Sequence, residues 1–257
     1  HSVMADGRKP FGRREVPTLA LLHFVEKLNA FAALTDTARQ AAVTLADRHH
    51  RTCHRGEDLI SEGDKPRNVQ LIIDGWACRY KILEDGRRQI LAIFIPGDLC
   101  DLNVYILDRM DHSISAISPL TYVTIEQQEM EQFCDGNPQL ARALWWESLV
   151  SASIQREWLV NAAQRTPMEA IAHLVCELYF RLRVVKLARK GEPIFFPLTQ
   201  TDIADTLGLT QPHISRLLQM LNKHAKVAWR PRQLIVHDED SLRHLAGFNP
   251  DYLHFRR

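Results

Sequence analysis

Between residues 55 and 124 the apolar positions come in short bursts, each closed by a turn pair. Gly63-Asp64, Asp74-Gly75, Asp85-Gly86 and Gly97-Asp98 recur every 11 or 12 residues. Both residue types tolerate positive φ, and Asp bonds the backbone two residues on, so both suit turns. Between the pairs lie "VQLIIDG", "WACRYKILEDG" and "RRQILAIFIPG", rich in Val, Ile, Phe and Tyr and partly alternating; "HSISAIS" and "TYVTIEQQEM" follow. Short strands at this spacing predict an antiparallel sandwich or barrel. A helical reading fails because the recurring glycines would interrupt each helix.

The pattern changes at residue 137. From there to 161 the chain has no glycine and no proline after Pro138, which predicts one helix of about 25 residues. Asn137 is placed to cap it, with Pro138 at its first position. Leu140, Leu144, Ile154 and Trp158 fall near one face, and Trp145, Leu149, Ala152 and Leu159 near another. A helix with two apolar stripes must bury both. One stripe can lie on the β domain, and the other is a candidate dimer seam, although Glu147 and Ser151 make a poor strict heptad. The competing reading is a helix buried between two domains of a monomer.

Arg165-Thr166-Pro167 opens a third segment, with Thr166 as cap and a helix carrying Ile171, Leu174, Val175, Leu178 and Leu182. The stretch "RKGEPIFFPL" reads as a loop. In "LTQTDIADTLGLTQPHISRLLQMLNKH" Thr199 caps a short helix over 200–207, in which Ile203 and Leu207 point inward. Small Ala204 lets a second helix cross closely, and Gly208 ends the first. Thr210 caps the second helix, freeing its hydroxyl for the His213 N–H, and Pro212 sits in the first turn, where a missing N–H costs little. Ile214, Leu217, Leu218 and Leu221 form its inner face. Two helices joined by a short turn containing Gly are the helix-turn-helix signature; an unrelated αα-hairpin is the alternative. "KVAWRPRQLIVHD" follows, two short strands with Arg230-Pro231-Arg232 at the tip, which makes the unit winged.

The outer positions carry the candidate chemistry. The major groove of DNA admits one α-helix, and side chains such as Arg, Gln and Ser read its base edges. Arg216 suits a guanine; Gln211 or Gln219 suits adenine; His213, Ser215 and Lys223 share the same face. Helix starts hold phosphates through backbone N–H groups and hydroxyls, which nominates Thr199, Gln200 and Thr210. Arg230 and Arg232 sit where a wing meets phosphates. For each of these residues the alternative is a solvated surface side chain. The charge distribution agrees with this reading: residues 1–163 hold 18 basic and 22 acidic residues, net −4, and residues 164–257 hold 14 and 9, net +5. A basic back half is where a polyanion partner belongs.

Other classes find little support. No apolar run of about 18 residues exists, and residues 1–15 lack an apolar signal core, so the expected location is the cytoplasm. His1–Val3 precede the first Met and read as an addition to the coding sequence. Five scattered cysteines, with no C-x-x-C pair, read as reduced thiols at part-buried positions. "HHRTCH" places His49, His50, Cys53 and His54 together, but on a strand alternation separates neighbours, so no metal site is expected. No nucleophile–base pair, P-loop, H-E-x-x-H or dinucleotide fingerprint is present, so no enzyme is expected.

The order β domain, long helix, winged helix-turn-helix resembles the Crp/Fnr family of cyclic-AMP receptor protein and the fumarate-nitrate reduction regulator, from about Phe24 to His254. "GEDLISEGD", "LIIDGWACRY" and "DGRRQILAIFIPGDLCDL" are similar to its cyclic-nucleotide-binding β-roll, and "LTQTDIADTLGLTQPHISRLLQML" to its DNA-reading unit. The resemblance implies an α+β fold: an N-terminal tail (1–20), a cyclic-nucleotide-binding-like β-roll of antiparallel jelly-roll type (21–136), a long dimerisation helix (137–164), and a C-terminal winged helix-turn-helix domain (165–257; helix-turn-helix 200–223, wing 226–237). It implies a homodimer on a near-palindromic double-stranded DNA operator, with RNA polymerase and a small-molecule effector as further partners and no membrane. The alternative is a cyclic-nucleotide-binding module that regulates a protein partner.

Departures from the family pattern narrow the effector. In nucleotide-binding members a Gly-Glu pair for the ribose and an Arg-Ser or Arg-Thr pair for the cyclic phosphate follow the Pro-Gly-Asp turn. The matching residues here are Cys100-Asp101-Leu102 and His112-Ser113, so Asp replaces the longer Glu and the phosphate arginine is missing. The candidate effector pocket is therefore Leu99, Cys100, Asp101, Leu102, His112 and Ser113, the effector is unknown, and cyclic AMP is not expected, a protonated His112 being only a weak substitute for the arginine. No cysteine precedes Cys53, so no iron-sulfur cluster and no other cofactor is expected. At Pro212 the relatives carry a glutamate that accepts from cytosine, so their operator need not apply here.

Overall fold

A computed structural model describes residues 18–102, 106–225 and 227–256. His1–Val3, most of the tail assigned to 1–20, and the side chain of Lys226 at the start of the wing lie outside the described residues.

Among the described residues the turn-punctuated segment forms eight strands: β1 (His50–Cys53), β2 (Asp58–Ile60), β3 (Asn68–Asp74), β4 (Ala77–Ile82), β5 (Arg88–Phe94), β6 (Leu99–Cys100), β7 (Ser113–Ala116) and β8 (Leu120–Glu126). They make two four-stranded sheets, ordered β1-β8-β3-β6 and β2-β7-β4-β5, with every pairing antiparallel. Two turn glycines are fixed by space as well as by φ. At Gly75 (φ +80) a Cβ would overlap the Pro119 carbonyl oxygen, and at Gly97 (φ +92) it would lie 2.8 Å from the His23 carbonyl oxygen. Among the described residues, two helices precede the roll without any turn signal to announce them: α1 (Thr18–Phe31) and α2 (Asp36–Ala46). They bury Phe24, Leu28, Ala42 and Leu45 against Val69, Leu71 and Ile73 of β3.

After α3 (Gln127–Asp135) comes α4 (Pro138–Ala163), the 26-residue helix expected from the pattern. Asn137 flanks it, but its side chain makes no capping bond; instead the Asn137 carbonyl accepts from the N–H groups of Leu140 and Ala141. One stripe, with Leu140, Leu144 and Val150, is buried, and Ile154 and Trp158 pack alongside the core. The other stripe faces outward, with Trp145, Leu149 and Leu159 at 74%, 66% and 69% exposure. Glu147 and Ser151 lie off that outer seam, lining a cavity beside the roll. Positions 145, 149, 152, 156 and 159 lie at a 4-3-4-3 spacing, with 145, 149, 152, 156 and 159 all at least partly open to solvent and Arg156 the charged residue among them.

The back domain begins with α5 (Pro167–Val184), started by a capping box between Thr166 and Glu169. It continues through β9 (Ile194–Phe195), α6 (Gln200–Leu207), α7 (Gln211–Ala225), β10 (Val227–Arg230), β11 (Gln233–Val236) and α8 (Glu239–Ala246), and ends in a 3₁₀ turn (Pro250–Leu253). The loop expected at "RKGEPIFFPL" contains β9, which pairs with β11 and makes the wing sheet three-stranded. This domain shares a core with the roll. Trp76 packs edge-on against Phe196 at 5.1 Å, Phe196 packs against Trp229 at 4.9 Å, and Ile93 and Ile95 join the same cluster. Edge-to-face aromatic pairs contribute about 0.5–1.5 kcal/mol beyond burial.

Candidate DNA interface and sensor site

The helix-turn-helix is built from local rules. Thr199 accepts from the Asp202 N–H and Asp202 accepts from the Thr199 N–H, so each satisfies a donor that the helix start leaves over. Gly208 takes the left-handed conformation (φ +66) and turns the chain into α7. Ile214, Leu217, Leu218 and Leu221 are buried as the spacing requires. On the outer side Gln211, Arg216, Gln219 and Lys223 are exposed, and His213 and Ser215 are half-buried. Gln200, Thr210, Arg230 and Arg232 are exposed as well. Thus the candidate base-reading residues share one open face of α7, and the two arginines bracket the wing tip.

Four details go beyond the sequence expectation. The Thr210 carbonyl, not its hydroxyl, accepts from the His213 and Ile214 N–H groups, each at 3.0 Å. The Thr199 hydroxyl already donates to Asp202 at 2.7 Å as well as accepting from its N–H. Gln211 donates to the Thr201 hydroxyl, which ties the start of α7 to α6. Arg232 holds φ +58, and its carbonyl accepts from the Phe196 N–H at 3.0 Å, fixing the wing tip over the domain core.

Residues that sequence reasoning missed join the roll to this domain. Arg55 donates to Asp202 at 2.9 Å; Arg88 donates to Asp202 and Asp205, each at 2.7 Å; Gln89 donates to the Thr206 carbonyl at 3.1 Å. Burial alone would raise the Asp202 pKa, but the bonds from Thr199, Arg55 and Arg88 outweigh it and hold the carboxyl below its usual value. A second set is buried. Asp98 accepts from Lys27 at 2.5 Å and from Arg181 at 2.6 Å, Arg181 pairs with Glu177 at 3.2 Å, and Lys27 also meets Glu147. Burial pushes the Glu147 and Glu177 carboxyls up, whereas Asp98, also buried, is held down by its two cations. Glu147 Oε2 is buried without a partner. These contacts join α1, β5–β6, α4 and α5, which no sequence motif connects, because the partners lie 71 to 120 residues apart.

In the roll, Asp101 and His112 come together, with His112 Nε2 2.7 Å from Asp101 Oδ2. Arg79, reaching over from β4, pairs with the other oxygen of Asp101. Asp111 holds His112 Nδ1 at 2.6 Å. Burial lowers the His112 pKa, but the bonds and charge of Asp101 reverse the sign and leave it raised. Ser113 accepts from the Glu62 N–H at 2.8 Å. Leu99 and Leu102 pack into the cluster below α1 and α2, whereas Cys100 belongs to the interior of the roll, where burial drives its thiol pKa well up. The six candidate positions therefore divide between a polar cluster and two apolar cores. Asp101 adopts φ +54, a conformation that favours glycine, and its carboxylate is taken up by Arg79 and His112. Arg79 lay unnoticed because it comes from a strand outside the turn motif.

His50 bonds the Ala46 carbonyl, and the Cys53 thiol contacts the Glu57 carbonyl. Among the described residues no three His, Cys, Asp or Glu groups converge as a metal site. No helix among them is long and apolar enough to cross a membrane.

With this geometry in hand, comparison with known proteins is specific. A cyclic nucleotide-binding domain matches residues 50–137 and a Crp-like helix-turn-helix domain matches residues 169–245. The chain is 31% identical over 173 residues to the nitrogen fixation regulation protein FixK of Bradyrhizobium diazoefficiens, covering 67% of this chain and 71% of the relative. It is 28% identical over 207 residues to the transcriptional activator protein FnrL of Cereibacter sphaeroides, covering 79% and 83%. The structure of FixK2 from Bradyrhizobium japonicum superimposes with a TM-score of 0.67 at 26% identity, over 77% of this chain and 96% of that one. The chain belongs to the Crp/Fnr family of DNA-binding transcription regulators, a family of regulators and not of enzymes.

Proposed function

We propose that this regulator acts as a homodimer on near-palindromic DNA, with the outer face of α7 reading base edges in the major groove. The observation that carries the reading is the pair of open surfaces: the polar face of α7 with Arg216 and Gln219, and the apolar seam of α4 with Trp145, Leu149 and Leu159. An exposed apolar stripe of this length is what a parallel partner helix covers. Two-fold pairing along α4 would present two copies of α7 to half-sites about one helical turn apart. Arg230 and Arg232 would meet phosphates beside the groove. RNA polymerase is the expected protein partner at the promoter, the cytoplasm the expected location, and the reading involves no iron-sulfur cluster or other resident cofactor.

The test combines sedimentation with footprinting on the region upstream of the regulator's own gene. The expected outcome is a dimer at micromolar concentration and a protected near-palindrome that competitor DNA does not remove. A monomer with no sequence preference would overturn the proposal.

A further inference from the structure

We propose that Asp101 is the built-in anion of the roll's sensor site, so that the cationic pair Arg79 and His112 is neutralised from within and holds no external phosphate in the native chain. The inference rests on the reading of the roll as a sensor domain.

Arg79 and His112 approach one point from neighbouring elements. Arg79 lies on β4 opposite Ile114 of β7, and His112 immediately precedes β7. Both aim at one carboxylate, each taking a different oxygen of Asp101. Arg79 is otherwise set against the Phe94 ring, 5.5 Å from its centroid, and its Nε is buried without a partner. A guanidinium and an imidazole held this way in an apolar roll form a site for an anion with several acceptor oxygens. The carboxylate that fills it comes at a conformational cost, because Asp101 must hold φ +54 at a nearly buried position, where L side chains are rarely found. The two bonds to Arg79 and His112 offset that strain. The surrounding charges are already paired: Asp111 with His112, Glu62 with Lys81, and Asp58 with the Tyr80 hydroxyl. Among the described residues, removing Asp101 thus leaves Arg79 without a carboxylate partner and frees Nε2 of His112, whose Nδ1 keeps Asp111.

The ligand class that would compete is a phosphate ester or inorganic phosphate. To enter, it must displace a carboxylate that is tethered to the same fold and so never diffuses away. Substituting Asp101→Gly removes the carboxylate and suits the positive φ at once. Asp101→Asn keeps the size and removes only the charge.

The experiment is calorimetric titration of the full chain with cyclic AMP and, separately, with inorganic phosphate, using native protein, Asp101→Gly and Asp101→Asn. The imidazole resonances of His112 are followed by NMR in parallel. Native protein should bind neither probe, and its His112 resonances should not respond to phosphate. Asp101→Gly should gain at least about tenfold in affinity for one of the probes, because two charge-assisted bonds become available. Adding Arg79→Gln to Asp101→Gly should abolish the gain. The proposal is overturned if native protein binds either probe as tightly as Asp101→Gly does, or if a folded Asp101→Gly or Asp101→Asn protein gains no affinity for either. A native His112 resonance that shifts with phosphate overturns it without any variant. Operator binding is measured separately, so loss of this proposal leaves the DNA-binding reading standing, and the reverse also holds.

Discussion

Arg88 on β5 of the roll reaches Asp202 on α6 of the helix-turn-helix, with Nη2 2.7 Å from Oδ1. The same guanidinium holds Asp205 through Nε at 2.7 Å. Asp202 is also the residue that closes the capping box of α6, and it is almost fully buried. One carboxylate therefore fixes both the start of the first DNA-domain helix and that helix's position against the sensor.

Replacing Asp202 by Asn should lower stability by about 1.5–3 kcal/mol, the range for bonds to a charged group. The low half of the range is expected, since Arg55 and Arg88 are partly exposed and screened by solvent. The pH dependence has a definite sign. The folded pKa of Asp202 lies below its ordinary 3.8, so its contribution is fully present above that value and is lost as pH falls through the folded value. Urea midpoints measured at neutral pH and below 3.8 should therefore converge for native and variant proteins at acid pH. A constant gap at every pH would contradict the assignment.

Arg181→Met should be more damaging. It leaves Asp98 with Lys27 as its remaining cation and strips Glu177 of its ion pair, both at buried positions. Removing one member of a buried ion network costs about 3–5 kcal/mol. Because Asp98 sits on the roll and Arg181 on α5, thermal unfolding should be a single transition in the native chain and divide into two in the variant. Calorimetry is the measurement, and an unchanged single transition would show that the network does not couple the units.

Leu149→Glu should convert a dimer to a monomer. The residue is two-thirds exposed on the outer seam of α4 and makes no packing contribution within its own chain that would unfold it. A charge placed in that seam is buried unpaired when two copies meet. Sedimentation should report a monomer with native circular dichroism, and operator affinity should fall with it.

On the DNA face the two arginine classes should separate. Arg216→Ala should relax preference at one base position, at a cost of about 1–3 kcal/mol on the preferred sequence. Arg232→Ala should weaken binding to all sequences alike and reduce the salt slope by about one. Binding isotherms on operator and scrambled DNA across a salt series distinguish these outcomes.

Much of this molecule was legible because it rests on local physics. The turn pairs at Gly63, Asp74, Asp85 and Gly97 mark the roll, and the unbroken run after Pro138 marks α4. Thr166, Thr199 and Gly208 punctuate the DNA domain where capping and positive φ require them. The candidate interface was legible for the same reason, since inner and outer positions of α7 follow from a period of 3.6. The sensor cluster was legible only in part. Asp101 and His112 fall at positions that the family resemblance names, but Arg79 enters from another strand, and nothing in the spacing showed that Asp101 would turn its carboxylate toward it. α1 and α2 lack turn signals, and β9 is two residues long, too short for periodicity to register.

The sequence by itself determined the strands of the roll, α4, the helix-turn-helix with its two-stranded wing, the polar face of the recognition helix and the family, because capping, turn chemistry and hydrophobic period act within a few residues of one another. Only the tertiary structure decided how the units are joined. Arg88 and Asp202, Lys27 and Asp98, and Arg79 and Asp101 are separated by 22 to 114 residues of chain. Coulombic pairing between them depends on distance in space and on burial, and neither is written in the spacing of residues along the chain.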